Sequence, residues 1–252
     1  MVRPYYPNLH KAAIEIGTLV LSNSWLLMEN NRLPMEQQEL LQSIEQRLSR
    51  LHKFAGYDIV SSDLLRSKTQ DEFLDRLWMV DVAIHLADRF LLEQLEEPLP
   101  NRRRVDLTGK ITIDGVVIHF YVEAKSWRFD DQIRDYLDPN VLSIDQRINR
   151  MKDKLSQQLP TNTIGIWAWD KLRDGAGGGI TIGQDAIALG VQEKHIIQEV
   201  CNGVPQIAVI MIKQFRSIHP IELVIHAHAN NKSKWPMNMV NELLNSLNAS
   251  VT

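Results

Sequence analysis

Asp114-Gly115 stands between two stretches that alternate apolar and polar residues, Val105 to Ile113 and Val116 to Lys125. Asp-Gly flanked by such alternation is a strong short-range signal for a β-hairpin with a two-residue turn. The turn fixes the register, because Ile113 then faces Val116 and every later pair follows. Counting outward, Asp106 falls opposite Glu123, with Lys125 two residues further along the same face. The other face carries Val105, Leu107, Gly109, Ile111, Ile113, Val116, Ile118, Phe120, Val122 and Ala124, all apolar or glycine. A slip of one residue would expose that set and part the two acids, so the pattern selects the register that joins them.

Directly opposed residues stand about 4.5–5.5 Å apart at their β-carbons. Two ionised carboxylates at that spacing repel, and a divalent cation between them removes the cost. Mg²⁺ favours oxygen ligands and commonly binds through one or two carboxylates, waters and a substrate phosphate. A neighbouring lysine can orient the attacking water or help to deprotonate it. The bland alternative is a solvated charge cluster, which would not favour two acids face to face.

Val105-Asp106 and, beyond the turn, Glu123-Ala124-Lys125 resemble the signature of the PD-(D/E)XK nuclease superfamily. The resemblance implies an αβββαβ core and covers the middle of the chain, from about Thr69 to Trp169. It implies that Asp106 and Glu123 ligate Mg²⁺ or Mn²⁺, with the Ala124 carbonyl as a further ligand, and that Lys125 handles the nucleophilic water. Valine precedes Asp106 where proline is common in the family. Many members place another acid on the first core helix. Glu72, ahead of Asp75, is the candidate here, although Glu72 also completes a capping box from Thr69. Met79 stands where related sequences often carry a glutamate.

The remaining chain reads as helices and strands around this hairpin. Apolar residues recur at helical spacing from Leu9 to Asn30, and again from Pro34 to about Gly56 through Leu40, Leu41, Ile44, Leu48 and Leu51. These two helices suit a cap or a dimerisation element. A third helix from Thr69 is expected to reach Glu97, before Pro98 and Pro100. Further helices are expected over Ser143–Leu159, Gln192–Val200 and Met237–Leu247. Strands are expected over Thr163–Trp169, Gln206–Ile212 and Ile221–His228. The expected architecture is α/β: a restriction-endonuclease-like core with a mixed sheet flanked by helices over 67–252, and an N-terminal helical extension over 1–66.

Composition narrows the function. A net charge of −3 disfavours a passive nucleic-acid coating protein, while leaving room for a local basic groove. Arg147, Arg150 and Lys154 share one helix face and could grip a phosphate backbone, and Arg102-Arg103-Arg104 precede Asp106. The single cysteine, Cys201, excludes an internal disulfide and a cysteine zinc site and fits the cytosol. No stretch reads as a signal peptide or a membrane span. Gly175 to Gly179 lack the ending of a phosphate loop. His219, His226 and His228 lack a carboxylate partner for a metal, and Trp167 and Trp169 fit core packing before base stacking. The expected activity is a Mg²⁺- or Mn²⁺-dependent endonuclease acting on DNA ahead of RNA, as a cytoplasmic protein and a homodimer. The competing expectation is a catalytically inactive nuclease-fold protein serving as an interaction module for protein or nucleic acid.

Overall fold

Asp114 and Gly115 both adopt left-handed backbone, with φ of 51° and 78°. That is the type I′ pattern whose twist matches the flanking strands. The computed structural model describes residues 44, 46–66, 70–101, 103–126, 144–170, 184–213 and 225–250. Within them, the side chains at 65, 70–74, 126, 144, 147, 184–193 and 213 are outside the description. The expected helix over Leu9–Asn30, Gly175 to Gly179 and His219 all lie outside the described residues.

The elements, in order, are α1 (Tyr57–Leu65), α2 (Gln70–Asp88), β1 (Leu92–Pro98), β2 (Arg104–Ile113), β3 (Val116–Ser126) and α3 (Ile144–Gln158). They continue with β4 (Ile164–Asp170), α4 (Gln184–Gly203), β5 (Ile207–Lys213), β6 (Ile225–Ala229) and α5 (Met237–Asn248). The six strands form one mixed sheet in sequential order. β1, β2 and β3 are antiparallel neighbours, β3–β4 and β4–β5 are parallel, and β5–β6 is antiparallel.

One expectation fails between Asp88 and Pro98. The third helix does not reach Glu97; it stops at Asp88, and Leu92–Pro98 is a strand. The stop is a Schellman motif: Leu91 N–H donates to Leu86 O at 2.9 Å, and Phe90 N–H to Ala87 O at 3.1 Å. Phe90 takes the left-handed slot, φ 58°, which glycine usually fills. The chain then pairs with β2, and Gly109 permits the close approach: a β-carbon there would meet Leu91 O at 2.5 Å. Helix α1 is a further element that the apolar spacing does not mark.

Two apolar layers sandwich the sheet. On one side α2, α1, α5 and the helical residues 46–51 pack on Leu107, Phe120, Val122, Ile166 and Ala168. Ile44, Leu48 and Leu51, the stripe read from sequence, are buried in this core. On the other side α3 and α4 pack Ile148, Leu155, Ile196 and Val200 against Trp167, Trp169 and Ile210. Among the described residues, no helix is long and apolar enough to cross a membrane.

Candidate active site

The β2–β3 ladder runs from Ile113↔Val116 to Leu107↔Val122, and one step further Asp106 meets Glu123. At that step side chains take over from backbone pairing. Asp106 N–H donates to Glu123 Oε1 at 3.4 Å, and Ala124 N–H donates to Asp106 Oδ2 at 2.8 Å. Lys125 Nζ lies 3.2 Å from Asp106 Oδ2 and 2.5 Å from Glu123 Oε2. The three residues read from the hairpin pattern therefore form one cluster, at the end of β3 where its parallel neighbour β4 also ends.

The face that carries them is only partly solvated. Thr112, Val117 and His119, toward the turn, are exposed, whereas Thr108 is buried and Glu123 is 0 % exposed. The cover comes from the second apolar layer. Glu123 pairs across the parallel ladder with Trp167, and Lys125 with Trp169. Both indoles are buried and stack at 5.2 Å. A low dielectric then magnifies every charge at the site. Burial, and after it the charge of Asp106, pushes the Glu123 carboxyl up to about 8. Burial alone would lower Lys125, but Asp106 and Glu123 outweigh it and hold the ammonium protonated beyond the usual lysine range. The opposed acids are thus relieved from within the site, by the Lys125 ammonium and by the proton that Glu123 retains above the usual carboxyl range.

The donor set suits a hard divalent ion. Both acids offer oxygen, and the buried Glu123 Oε2 meets the Lys125 ammonium. Among the described residues no group of three or more His, Cys, Asp or Glu side chains is placed to hold a metal. Two carboxylates, with water and substrate phosphate completing the shell, match what Mg²⁺ commonly uses.

The other sequence candidates separate. Glu72 lies in the first turn of α2 and Arg147 in α3, but both side chains are outside the described set. Arg150 and Lys154 are exposed on α3, which covers the same sheet face as the acids. Arg103 bonds Gln157 near the end of that helix. His226 and His228 are exposed on β6, and Trp167 is core. Cys201 is buried, and burial pushes its thiol up to about 12, leaving it unreactive.

Sequence reasoning missed Glu96. Leu95 pairs with Leu107 and Glu97 with Val105, so Glu96 lies across β1–β2 from Asp106. It is 6 % exposed and has a φ of 49°, a conformation that side-chain-bearing residues rarely adopt. Arg76 Nη1 donates to Glu96 Oε1 at 2.9 Å, while Nη2 lies 3.3 Å from Asp63 Oδ2. Burial, then the charge of Asp106, raises the Glu96 carboxyl above the usual range. No local pattern flags the residue, because its place depends on a strand that reads as helix.

Compared with protein-family models, with curated proteins and with solved structures, the chain finds no match, so the roles of its residues rest on this geometry.

Proposed function

We propose that the chain is a Mg²⁺- or Mn²⁺-dependent phosphodiesterase that cuts nucleic acid internally, DNA ahead of RNA. The observation that carries this reading is the Asp106–Glu123–Lys125 cluster, with one ammonium between two opposed carboxylates in a largely buried setting. The order α2–β1–β2–β3–α3–β4, with β3 parallel to β4, supports it, since it follows the αβββαβ arrangement that the sequence resemblance implies. The exposed Arg150 and Lys154 offer a phosphate-backbone contact on the same side of the sheet.

Asp106 and Glu123, with the Ala124 carbonyl, would hold the metal. A bound divalent ion supplies Lewis acidity, lowering the pKa of an attacking water and stabilising charge on the scissile phosphate. Lys125, whose ammonium reaches both acids, would orient the water and neutralise phosphate charge. Trp167 and Trp169 exclude bulk water from the floor of the site, which strengthens these interactions.

The test is cleavage of supercoiled plasmid by purified protein in Mg²⁺ or Mn²⁺. Glu123→Ala and Lys125→Ala should each reduce cleavage by at least about 10²-fold, as expected when a positioned catalytic group is lost. Variants as active as the parent would remove the assignment. A second reading, a nuclease-fold interaction module, draws on one specific observation. Lys125 already neutralises the acid pair, and no third side-chain ligand joins it among the described residues. Calorimetry with Mn²⁺ separates the two, since the module predicts no binding at millimolar metal.

A further inference from the structure

A glutamate with left-handed backbone inside a strand needs surroundings that hold it there. The left-handed region is disfavoured for a residue with a side chain, and such strain persists only where neighbouring contacts over-determine it. At Glu96 those contacts are a buried carboxylate, an Arg76 guanidinium at 2.9 Å, and Asp63 tying that guanidinium from its other side at 3.3 Å. The place so held is the one across the ladder from Asp106. Nothing in the β1–β2 pairing itself calls for a carboxylate there, and the aliphatic neighbours Leu95 and Leu107 pack without it.

We propose that Glu96 is a positioning residue of the candidate metal site, its fixed negative charge across from Asp106 strengthening divalent-cation binding and Arg76 moderating that charge. The inference rests on the metal-site reading above and extends it to a residue outside the Asp106–Glu123–Lys125 cluster. The Glu96–Arg76 ion pair stands one strand away from the Asp106–Glu123–Lys125 cluster, with Glu96 across the ladder from Asp106. Removing Glu96's charge leaves the site less attractive to a cation, and removing Arg76's leaves it more attractive. A merely structural role for the pair predicts the same sign for both changes, since either one breaks the same ion pair.

The experiment is calorimetric titration of the full chain with Mn²⁺ alone, at constant pH and low salt. Glu96→Gln should weaken binding about threefold to tenfold, the effect of one charge seen through several ångströms of partly hydrated protein. Arg76→Gln should tighten it, and Glu96→Asp, which keeps the charge, should stay within about twofold of the parent, a change of only a few tenths of a kcal/mol. If Arg76→Gln does not fold, the contrast between Glu96→Gln and Glu96→Asp still decides. Parent protein that binds Mn²⁺ with Glu96→Gln unchanged overturns this inference alone. Glu96→Asp as weak as Glu96→Gln, or Arg76→Gln weakened like Glu96→Gln, also overturns it. No Mn²⁺ binding by the parent overturns the metal-site reading and this inference together.

Discussion

With Lys125 Nζ 2.5 Å from Glu123 Oε2 and 3.2 Å from Asp106 Oδ2, the acid pair is balanced before any metal arrives. The juxtaposition of the acids was legible in the sequence, because a two-residue turn and a clean apolar face leave a single register. The lysine's reach across both carboxylates was not, since alternation assigns a face and says nothing of side-chain direction. Burial of Glu123 was equally hidden, because its cover comes from β4, α3 and α4, distant in sequence. Lys125→Met should test the balance. Removing one partner of a buried charge cluster typically costs about 3–5 kcal/mol. Protonation of Glu123 softens the loss at low pH, so the deficit should grow from pH 6 to pH 8. Mn²⁺ should restore part of it at pH 8, because a divalent ion replaces the lost cation. Urea midpoints with and without Mn²⁺ measure this, and a loss independent of pH and unrelieved by metal would contradict it.

The hairpin and most later elements fall near their expected bounds, whereas α1 and β1 do not. The hairpin, α3, β4 and α5 carry their own turn chemistry or periodicity. β1 does not. Leu92-Glu93-Gln94-Leu95-Glu96-Glu97 is rich in helix formers, and the helix stop before it contains no glycine. Pairing with β2 overrides that propensity, and with β1 unread the place of Glu96 went unread too. The glycine-less stop yields its own prediction. Phe90 is left-handed at φ 58° and 92 % exposed, so its ring contributes almost no packing there. Phe90→Gly relieves the left-handed strain and places the usual residue in the Schellman slot, at the cost of a looser unfolded chain. The net effect should be stabilising by about 1 kcal/mol. A melting temperature unchanged or lowered would mean that the ring makes a contact worth as much.

Among the described residues, two buried groups in opposite layers move stability in opposite directions with pH. His85 Nε2 lies 2.9 Å from Leu247 O, joining α2 to the end of α5. Burial, then the charge of Arg89, lowers it from 6.5 to about 4. The unfolded chain takes up this proton below about pH 6.5 and the folded chain does not, so the contribution of His85 is present above 6.5 and lost toward 4. Glu123 works the other way. The unfolded chain releases its proton near 4.5 and the folded chain near 8, so stability falls as pH rises between those values. Glu96, raised in the same direction, adds to that fall. The contribution of Lys125 is complete below its ordinary value of 10.5 and is constant over this range. From about pH 4.5 to 6.5 the histidine and glutamate effects oppose, one proton each, and stability should be nearly level. From about pH 6.5 to 8 the histidine contribution is complete and the fall from Glu123 and Glu96 remains. In EDTA, denaturant midpoints should therefore drop between pH 6.5 and 8 in the parent and stay flatter in Glu123→Gln. An equal drop in that variant would place the titrating group elsewhere. Mn²⁺ should flatten the parent's profile as well, because an ion that binds the ionised carboxylates of the folded chain competes with the proton and stabilises most where the proton has left.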